Sequence, residues 1–490
     1  MTRIRYVKSA AALLKGKDAL LLVAPKRAFD DGTFLEALPA EHRRHALELA
    51  KDAPPGLTGN AAGTLVLGAA PRKLAVGVLP DTVSRHNSAT RAEAIRRVVA
   101  QSMTGRKGSA GILLVLDQAD HYRAAATAIA RCLPRYTAAT QKAAAEPTLD
   151  VLAVGPDGAV IAADARVVEV ADASREAGRL VDVPPTELDP AGFHIEVSRL
   201  TRGLTGVTKK ALVGDQLVAA GLGGIHAVGR TAVSAPRLVV LTYRPKRGSK
   251  RHVALVGKGV TYDTGGLSLK PTAGMSGMKC DMGGAAAVFG AFLALVKSGA
   301  PCAVSALLCI AENAVGPTAF KNDDVLTMHS KKTVEVNNTD AEGRLLLADG
   351  VSYAARVLKA DYILDAATLT GAQGVATGNL HGALVSNDEA LERLVYEAGQ
   401  SSGDLVHALP FAPEFYRAEF KSEVADMRNS VANRANAQVS CAAEFIHWHL
   451  DGTSAKWAHV DLAFPAWQRG RGTGYGVALL EDAVRRIVNL

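Results

Sequence analysis

Charged residues of the types that hold metal ions lie in or near two glycine-rich segments of this chain. They are Lys258, Asp263, Lys270 and Asp281 around the first segment and Asp340, Glu342 and Arg344 in the second. Two divalent cations about 3.5 to 4 Å apart are held by bridging carboxylates, which offset their mutual repulsion. The spacing therefore predicts a two-metal site that could hydrolyse a substrate.

Roles within such a site follow from the residue types. Asp263 and Glu342 are predicted to bridge the two cations, with Asp281 completing the shell of one ion and Asp340 that of the other. Lys258 could ligate through its amine once a cation has displaced the proton.

Phosphate-binding and nucleophile motifs do not explain the first segment. Gly257 and Gly259 follow an apolar strand, as in a dinucleotide fingerprint, but Tyr262 stands where the third glycine is required. The segment also lacks the Gly-Lys-Ser/Thr of a phosphate loop, and residues 266–270 end in lysine rather than the glycine of a nucleophile elbow. Carboxylate chemistry is the interpretation that remains.

The second segment has a structural alternative. Thr339 and Glu342 fit a capping box for a helix through residues 345–355, and the helix dipole would favour Asp340 there. Gly343 follows the box directly, and glycine is about 1 kcal/mol worse than alanine in a helix. Because that turn is not optimised for helix stability, metal binding is favoured once both segments are considered together.

The elements that must position these residues alternate between apolar strands and helices. Strands are predicted at 19–24, 63–68, 74–79 and 110–116 and, further along, at 238–243, 253–256, 304–310, 362–366 and 457–462. Ligands on such sheets collect at the carboxyl ends of parallel strands, where Lys258, Asp263 and Asp340 fall. The predicted class is α/β, with a small mixed sheet in an N-terminal domain and a mostly parallel, helix-flanked sheet in a C-terminal catalytic domain.

Length and composition support two domains. The 490 residues exceed what one hydrophobic core serves, and 48% apolar content is enough for two cores. The predicted boundaries are 1–168 for the first domain, 169–188 for a linker helix with an exit turn, and 189–490 for the catalytic domain. Five cysteines without paired spacing favour a reducing cytoplasm, and no apolar run predicts a membrane span.

The net charge of +8 lies in the first domain. Residues 1–168 carry 23 Lys and Arg against 15 Asp and Glu, and residues 169–490 carry 33 of each kind. A basic domain can attract DNA, so a DNA-binding or architectural role is the alternative function, alone or beside an enzymatic one. The charges are scattered singly, as at Arg3, Lys51, Arg85 and Arg106, which favours a solvated face.

The order of these residues resembles that of the leucyl aminopeptidases, the cytosol aminopeptidase family M17 of di-metal peptidases. Residues 338–345 are similar to the signature octapeptide of that family, and the segments 256–270, 278–284, 365–371 and 457–461 resemble it in order and spacing. The likeness covers roughly residues 170–490. The first 168 residues resemble the family's macro-like N-terminal domain only in α/β pattern and length.

The resemblance implies a metal-dependent aminopeptidase that releases leucine and other apolar residues from peptide N-termini through a metal-bridging hydroxide. Two Zn²⁺ or Mn²⁺ ions would be held by the ligands predicted above. Lys270 and Arg344 would be catalytic, because an ammonium can stabilise the tetrahedral oxyanion and a guanidinium fork can hold a bicarbonate that acts as general base.

The resemblance also implies a substrate pocket and partners. Met278, Thr368, Leu369 and Gly371 would line an apolar pocket for the first side chain of the peptide. A cytoplasmic homohexamer without membrane partners is expected.

One turn departs from the family pattern. Where an Arg-Ala-Gly-Gly type of turn is usual, this chain has Arg434, Ala435, Asn436 and Ala437, followed by Gln438. Two flexible positions have gained side chains. Since that turn lies near the substrate pocket in the family, we expect a shifted or narrowed specificity with intact metal ligands.

Overall fold

The computed structural model describes residues 2–103, 108–140 and 147–490, and the chain divides into two compact units. The first comprises residues 1–175 with 400–403, and the second comprises 176–399 with 404–490. The division falls within the helix Ala165–Asp182, so the predicted boundaries at 168 and 188 remain a prediction. Arg106 lies outside the described residues.

The first unit is built around one mixed sheet. Its strands are β1 Arg3–Tyr6, β2 Ala19–Pro25, β3 Asn60–Leu65, β4 Lys73–Leu79, β5 Ala110–Val115, β6 Thr148–Val154 and β7 Val160–Ile161. Its helices are α1 Ala10–Leu14, α2 Lys26–Asp31, α3 Ala40–Asp52, α4 Ala92–Met103, α5 Tyr122–Arg131 and α6 Ala165–Asp182, with short 3₁₀ helices at Thr33–Leu35 and Ala119–His121.

This sheet has the order β1-β6-β5-β2-β4-β3, with β7 beside β6. Its pairs are parallel except β3 with β4 and β7 with β6. Leu20 and Leu22 pack with Phe29 on one face of β2, whereas Leu21 packs with Ile95 on the other. Alternating apolar residues therefore feed two cores, as a sheet between helical layers requires.

The predicted strand 63–68 is displaced toward the N-terminus, since β3 covers Asn60–Leu65. Beyond β3 the chain turns back, with Gly68 at φ 79° and the Val66 amide donating to the Arg72 carbonyl at 2.7 Å. Its apolar residues continue through this turn, which is why hydrophobicity alone placed the strand wrongly.

The second unit contains the remaining elements. Its strands are β8 Val207–Val213, β9 Arg237–Tyr243, β10 Ser249–Asp263, β11 Cys302–Asn313, β12 Val325–Thr327, β13 Thr333–Glu335, β14 Tyr362–Ala367, β15 Gly382–Ser386, β16 Val406–Ala408, β17 Met427–Arg428, β18 Lys456–Asp461, β19 Trp467–Gln468 and β20 Arg471–Gly472. Its helices are α7 Pro190–Leu200, α8 Asp215–Ala219, α9 Gly223–Gly229, α10 Thr272–Met275, α11 Gly283–Ser298, α12 Gly343–Arg356, α13 Ala372–Ala376, α14 Glu389–Ser402, α15 Pro413–Tyr416, α16 Gln438–Trp448 and α17 Val477–Ile487, with 3₁₀ helices at Met278–Met282 and Arg417–Phe420.

The main sheet of this unit has the order β16-β15-β18-β14-β10-β11-β9-β8. Its central strands β18, β14, β10 and β11 are parallel neighbours, and antiparallel pairs join β15 to β18, β9 to β11 and β8 to β9. The predicted class, two α/β domains with a mostly parallel catalytic sheet, is confirmed.

Helices α11 and α12 cover the two faces of β10. A Cβ at Gly257 would lie 2.5 Å from the Cα of Ala285 in α11, and a Cβ at Gly350 in α12 would lie 2.6 Å from Val256 Cγ1. Because successive strand residues point to opposite faces, the strand that carries the first charged segment is enclosed from both sides.

The stretch Met278–Ser298, which contains α11, has the length and composition of a membrane-crossing helix, with a mean hydropathy of 1.5. Of the most apolar 18 residues of this stretch, 89% are buried within the protein. That burial is typical of a core helix.

Candidate active site

The predicted site residues line one cavity of the second unit, with a volume of about 520 Å³. The cavity is lined by every predicted metal-ligating, catalytic and substrate-binding residue: Lys258, Asp263, Lys270, Met278, Asp281, Asp340, Glu342, Arg344, Thr368, Leu369 and Gly371. The structure thus brings all of them together, while their individual roles stay predictions.

Strand β10 and the neighbouring loops position the charged groups. Lys258 and Asp263 belong to β10, Asp281 lies on the 3₁₀ helix before α11, and Asp340 and Glu342 precede α12. Since β10 runs parallel between β11 and β14, the carboxyl ends of these strands meet at one edge of the sheet. The prediction that Asp340 lies at such a strand end is wrong, because Asp340 follows β13 of the separate sheet β12-β13-β17 and reaches this edge from a loop.

Lys258 is buried among acidic groups. Its Nζ lies 2.8 Å from Asp281 Oδ2 and 2.9 Å from Glu342 Oε1, and it donates to the Thr368 carbonyl at 3.0 Å. The Thr368 hydroxyl donates to Asp281 Oδ1 at 2.9 Å. One hydrogen bond and two ion pairs therefore hold the ammonium in place.

Lys270 lies over the other carboxylates. Its Nζ is 2.8 Å from Asp263 Oδ2 and 2.5 Å from Asp340 Oδ1, and 16% of its side chain is exposed. Asp263 is held from behind, because Asn313 Nδ2 and the Gly265 amide each donate to its Oδ1 at 2.9 Å.

The electrostatics of the cluster favour cations. Burial raises the pKa of Asp281 well above its usual range, and Asp263 and Glu342 reinforce that rise against the opposing charge of Lys258. Burial also raises the pKa of Glu342. Burial alone would lower the pKa of Lys258, but the surrounding carboxylates outweigh it and the pKa lies above its ordinary value. A metal ion that binds there must displace this proton.

Arg344 is buried with part of its guanidinium unpaired. Its Nη1 donates to the Asn429 carbonyl at 3.0 Å, while its Nε has no hydrogen-bond partner among the described residues. Burial lowers its pKa to about 10. A planar fork with a free donor beside a cavity can bind a small anion such as a carboxylate or bicarbonate.

The capping-box alternative for the second segment is wrong. The Thr339 hydroxyl donates to the Gly265 carbonyl at 2.7 Å and accepts from the Ser268 amide at 2.7 Å, so it joins the two charged segments rather than capping α12. Gly343 is needed for space, since a Cβ there would lie 2.6 Å from Lys258 Cε. The poor helix former therefore makes room for the lysine.

The donor set fits divalent cations. Asp263, Asp340 and Glu342 present oxygens that all lie within 4.8 Å of one another. Glu342 Oε2 is buried without a hydrogen-bond partner among the described residues, which is unfavourable for an ionised oxygen unless a cation is bound. Several carboxylates and one amine suit Mn²⁺, Mg²⁺ or Zn²⁺.

Two asparagines that were not predicted from the sequence support the site. Asn313 ends β11 directly opposite Asp263, and a polar residue at the carboxyl end of a buried strand was an available signal. Asn429 Nδ2 donates to the Asn338 carbonyl at 2.7 Å, and its Oδ1 accepts from the Asn337 amide at 2.9 Å. No local pattern indicates this second residue, because it lies some 90 residues farther along the chain than its partners.

The loop after β14 is also supported from behind. Asp461, at the end of β18, accepts from the Leu369 amide at 3.1 Å and from the Thr370 hydroxyl at 2.7 Å. Phe464 and Trp467 follow it and add aromatic surface to the cavity that sequence analysis did not predict.

The unusual turn lies at the cavity. Arg434 and Gln438 both line it. Asn436 Nδ2 donates to Glu419 Oε1 at 2.8 Å, and Ala437 adopts a left-handed φ of 37° directly before α16. The Asn436 side chain therefore ties the turn to Glu419, and Gln438 places a polar group at the cavity.

A helix-flanked α/β sheet with a carboxylate-rich cavity at its carboxyl edge defines a metal-dependent hydrolase. The family model described as "Cytosol aminopeptidase family, catalytic domain" matches residues 124–481. A second family model, described as "M17 aminopeptidase N-terminal domain 2", matches residues 67–142. This chain belongs to the cytosol aminopeptidase family.

Individual relatives agree with the family match. The probable aminopeptidase NPEPL1 of Mus musculus is 44% identical over 412 residues, covering 83% of this chain and 78% of its own length. The leucyl aminopeptidase of Trypanosoma cruzi superposes with a TM-score of 0.90 at 37% identity, covering 99% of this chain and 97% of that chain. The Trypanosoma brucei leucyl aminopeptidase in complex with bestatin gives a TM-score of 0.90 at 36% identity, with 99% and 96% covered.

The enzymatic prediction is confirmed at the level of class, and the chain is a metal-dependent aminopeptidase. The predicted resemblance to leucyl aminopeptidases is confirmed by the same matches.

Proposed function

We propose that this aminopeptidase holds two divalent cations, Zn²⁺ or Mn²⁺, and releases leucine and other apolar residues from peptide N-termini. The cations would be held by Lys258, Asp263, Asp281, Asp340 and Glu342. The observation that supports this proposal is the convergence of these groups on one cavity together with a buried, unpaired carboxylate oxygen.

When bound, the cations supply Lewis-acid chemistry, which lowers the pKa of water and polarises a carbonyl. Lys270 keeps its ammonium at the cavity through Asp263 and Asp340, where it can donate to the oxyanion that develops on the scissile carbonyl. Arg344 keeps an unpaired Nε–H and lines the cavity, so it could hold a small anion, and a bicarbonate held there would act as general base.

The first side chain of the peptide would bind against Met278, Thr368, Leu369 and Gly371. Met278 and Leu369 are partly exposed at the cavity, and Gly371 has open space where a Cβ would stand. A flexible thioether beside open space suits leucine and methionine.

The decisive experiment removes and replaces the metal. The protein is stripped with a chelator and refilled with Zn²⁺ or Mn²⁺, and amino-acid release from Leu-Gly, Met-Gly and Cys-Gly is measured. We expect turnover only after refilling. Refilling should also raise the thermal unfolding midpoint, because a ligand at 100 times its Kd adds about 2.7 kcal/mol. If neither metal restores turnover, the proposal fails.

Assembly as a homohexamer and a cytoplasmic location are further proposals that rest on family membership. Light scattering on the purified chain tests the first. Four arginines of the first unit give little support to DNA binding, because they are paired with carboxylates of that unit: Arg5, Arg27, Arg91 and Arg96. Tight binding to duplex DNA with a steep salt dependence would be needed to establish it.

A further inference from the structure

The cavity has two walls that are bonded to different parts of the charged cluster. On one wall, Thr368 accepts from Lys258 and donates to Asp281. On the other, the Asn429 carbonyl accepts from Arg344. The proposed pocket for the first side chain includes Thr368 on the Lys258 wall, which would leave the Arg344 wall to the part of the peptide beyond the scissile bond.

The Arg344 wall continues along the chain to Ser430, Arg434 and Gln438, which all line the cavity. Arg434 is exposed, and its guanidinium has no hydrogen bond or ion pair with any residue in the described part of the chain. Arg344 and Arg434 therefore place two cationic groups at the cavity.

The carboxylate that is bonded to this turn is already engaged. Glu419 Oε2 accepts from the Asn433 amide at 3.0 Å, and Glu419 Oε1 accepts from Asn436 Nδ2 at 2.8 Å. Asn433 Oδ1 also accepts from the Ala435 amide at 3.0 Å. These bonds fix the backbone on both sides of Arg434 and leave its guanidinium available to the cavity.

We propose that Arg434 binds a carboxylate on the leaving side of the peptide, either the C-terminal carboxylate of a dipeptide or the acidic side chain of a second residue. This inference rests on the proposed function and narrows its substrate class to peptides that carry an anionic group next to the released amino acid. An arginine fork matches a carboxylate in charge and geometry.

The test uses two substrate pairs on the metal-loaded full chain. Leu-Gly is compared with Leu-Gly-amide for the C-terminal source, and Leu-Asp-amide with Leu-Asn-amide for the side-chain source. The readout is the ratio of kcat/KM within each pair, which does not depend on how much of a variant is folded. We expect the wild type to favour the anionic member of at least one pair by about two- to fivefold, the range that an exposed ion pair gives.

The Arg434→Gln variant should bring that ratio close to one, and Arg434→Lys should keep part of it. Arg202→Gln, which removes an exposed arginine outside the cavity, should leave the ratio unchanged. Added salt should shrink the wild-type ratio. Ratios near one in the wild type, or equal ratios in wild type and Arg434→Gln, would overturn the inference. Failure of the proposed function would instead show as no release from either member of a pair.

Discussion

Each unit of this aminopeptidase buries a carboxylate against a lysine, but the two clusters are balanced differently. In the first unit, Asp150 accepts from both Nε and Nη2 of Arg5 at 2.7 Å and lies 2.9 Å from Lys17 Nζ. In the second, Lys258 and Lys270 are shared among four carboxylates, and Glu342 Oε2 lacks a hydrogen-bond partner among the described residues.

The direction of the pKa shifts separates the two clusters. Burial opposes ionisation of Asp150, yet Arg5 and Lys17 outweigh it and lower the pKa of that carboxyl. For Asp281, Asp340 and Glu342, burial prevails and the pKa values rise. A buried charge whose partners satisfy it stabilises the fold, whereas an excess of carboxylates facing a cavity is poised to bind cations.

The largest expected effect comes from removing charge in the active site. Glu342→Gln keeps the volume but removes a proposed anionic ligand, and we expect kcat/KM for Leu-Gly to fall by at least about 10²- to 10³-fold. The measurement is steady-state kinetics after metal loading, with the thermal midpoint as a check of folding.

The matched control is Glu423→Gln, an exposed position paired with Lys421 on the same unit. It should lose less than twofold in kcat/KM. If Glu342→Gln stays within tenfold of the wild type, this glutamate is not a ligand and the contrast between the clusters loses its basis.

In the first unit, Asp150→Asn should affect stability instead. It leaves Lys17, whose side chain is 2% exposed, buried without a carboxylate, and breaking a buried pair costs about 3–5 kcal/mol. Urea unfolding followed by a probe in this unit measures the shift.

Asp30→Asn serves as the comparison, because the pair of Asp30 with Lys26 is solvent-exposed. Such pairs are worth at most about 1 kcal/mol. Equal losses in the two variants would show that the buried Asp150 cluster stabilises the first unit no more than an exposed ion pair does.

A smaller effect is expected at Gly343. Alanine is better than glycine in a helix by about 1 kcal/mol, but its Cβ would meet Lys258 Cε at 2.6 Å, and that side chain is held by Asp281 and Glu342. Overpacking costs about 1–3 kcal/mol, so Gly343→Ala should weaken metal affinity and activity. Isothermal titration with Mn²⁺ checks this, and unchanged affinity would show that the lysine is free to move.

The smallest expected effect is on the pH dependence of folding stability, which should have opposite signs for the two clusters. The pKa of Asp150 is lowered from 3.8, so its stabilising contribution is present above that pH and is lost as the pH falls through the folded value. In metal-free protein the pKa of Glu342 is raised, so acidification removes a penalty. Below about pH 4, the stability of wild type relative to Asp150→Asn should fall. The stability of wild type relative to Glu342→Gln should rise as the pH is lowered toward 4.5, the ordinary pKa of a glutamate. Thermal midpoints across pH test both, and equal signs would contradict the comparison.

Residue type and order were enough to predict which side chains gather at the site. Lys258, Asp263 and Asp281 precede Asp340 and Glu342 by up to 84 positions in the printed sequence. Lys258 and Asp263 lie in β10, and Asp340 and Glu342 reach them from the loop after β13, a strand of a separate sheet. The apolar pattern likewise placed most strands, and it failed at β3, where hydrophobic residues continue into a turn.

Packing contacts were not predictable in the same way. Thr339 looked like a helix cap because its local spacing fits one, but its hydroxyl bonds to Gly265 and Ser268 instead. The supporting role of Asn429 could not be predicted, because its hydrogen-bond partners are distant in sequence. A local sequence pattern shows only the hydrogen-bond partners that lie nearby in the chain. It does not show the partners that folding brings from distant segments.

The sequence by itself determined the chemistry that this chain can perform, since four acids, two lysines and an arginine in two glycine-rich segments admit few uses. Only the tertiary structure decided how those groups are balanced, which carboxylate oxygen stays unpaired, and which arginines line the cavity. The reason is physical: charge and donor type belong to each residue, whereas burial, pairing and direction arise only when distant segments pack together.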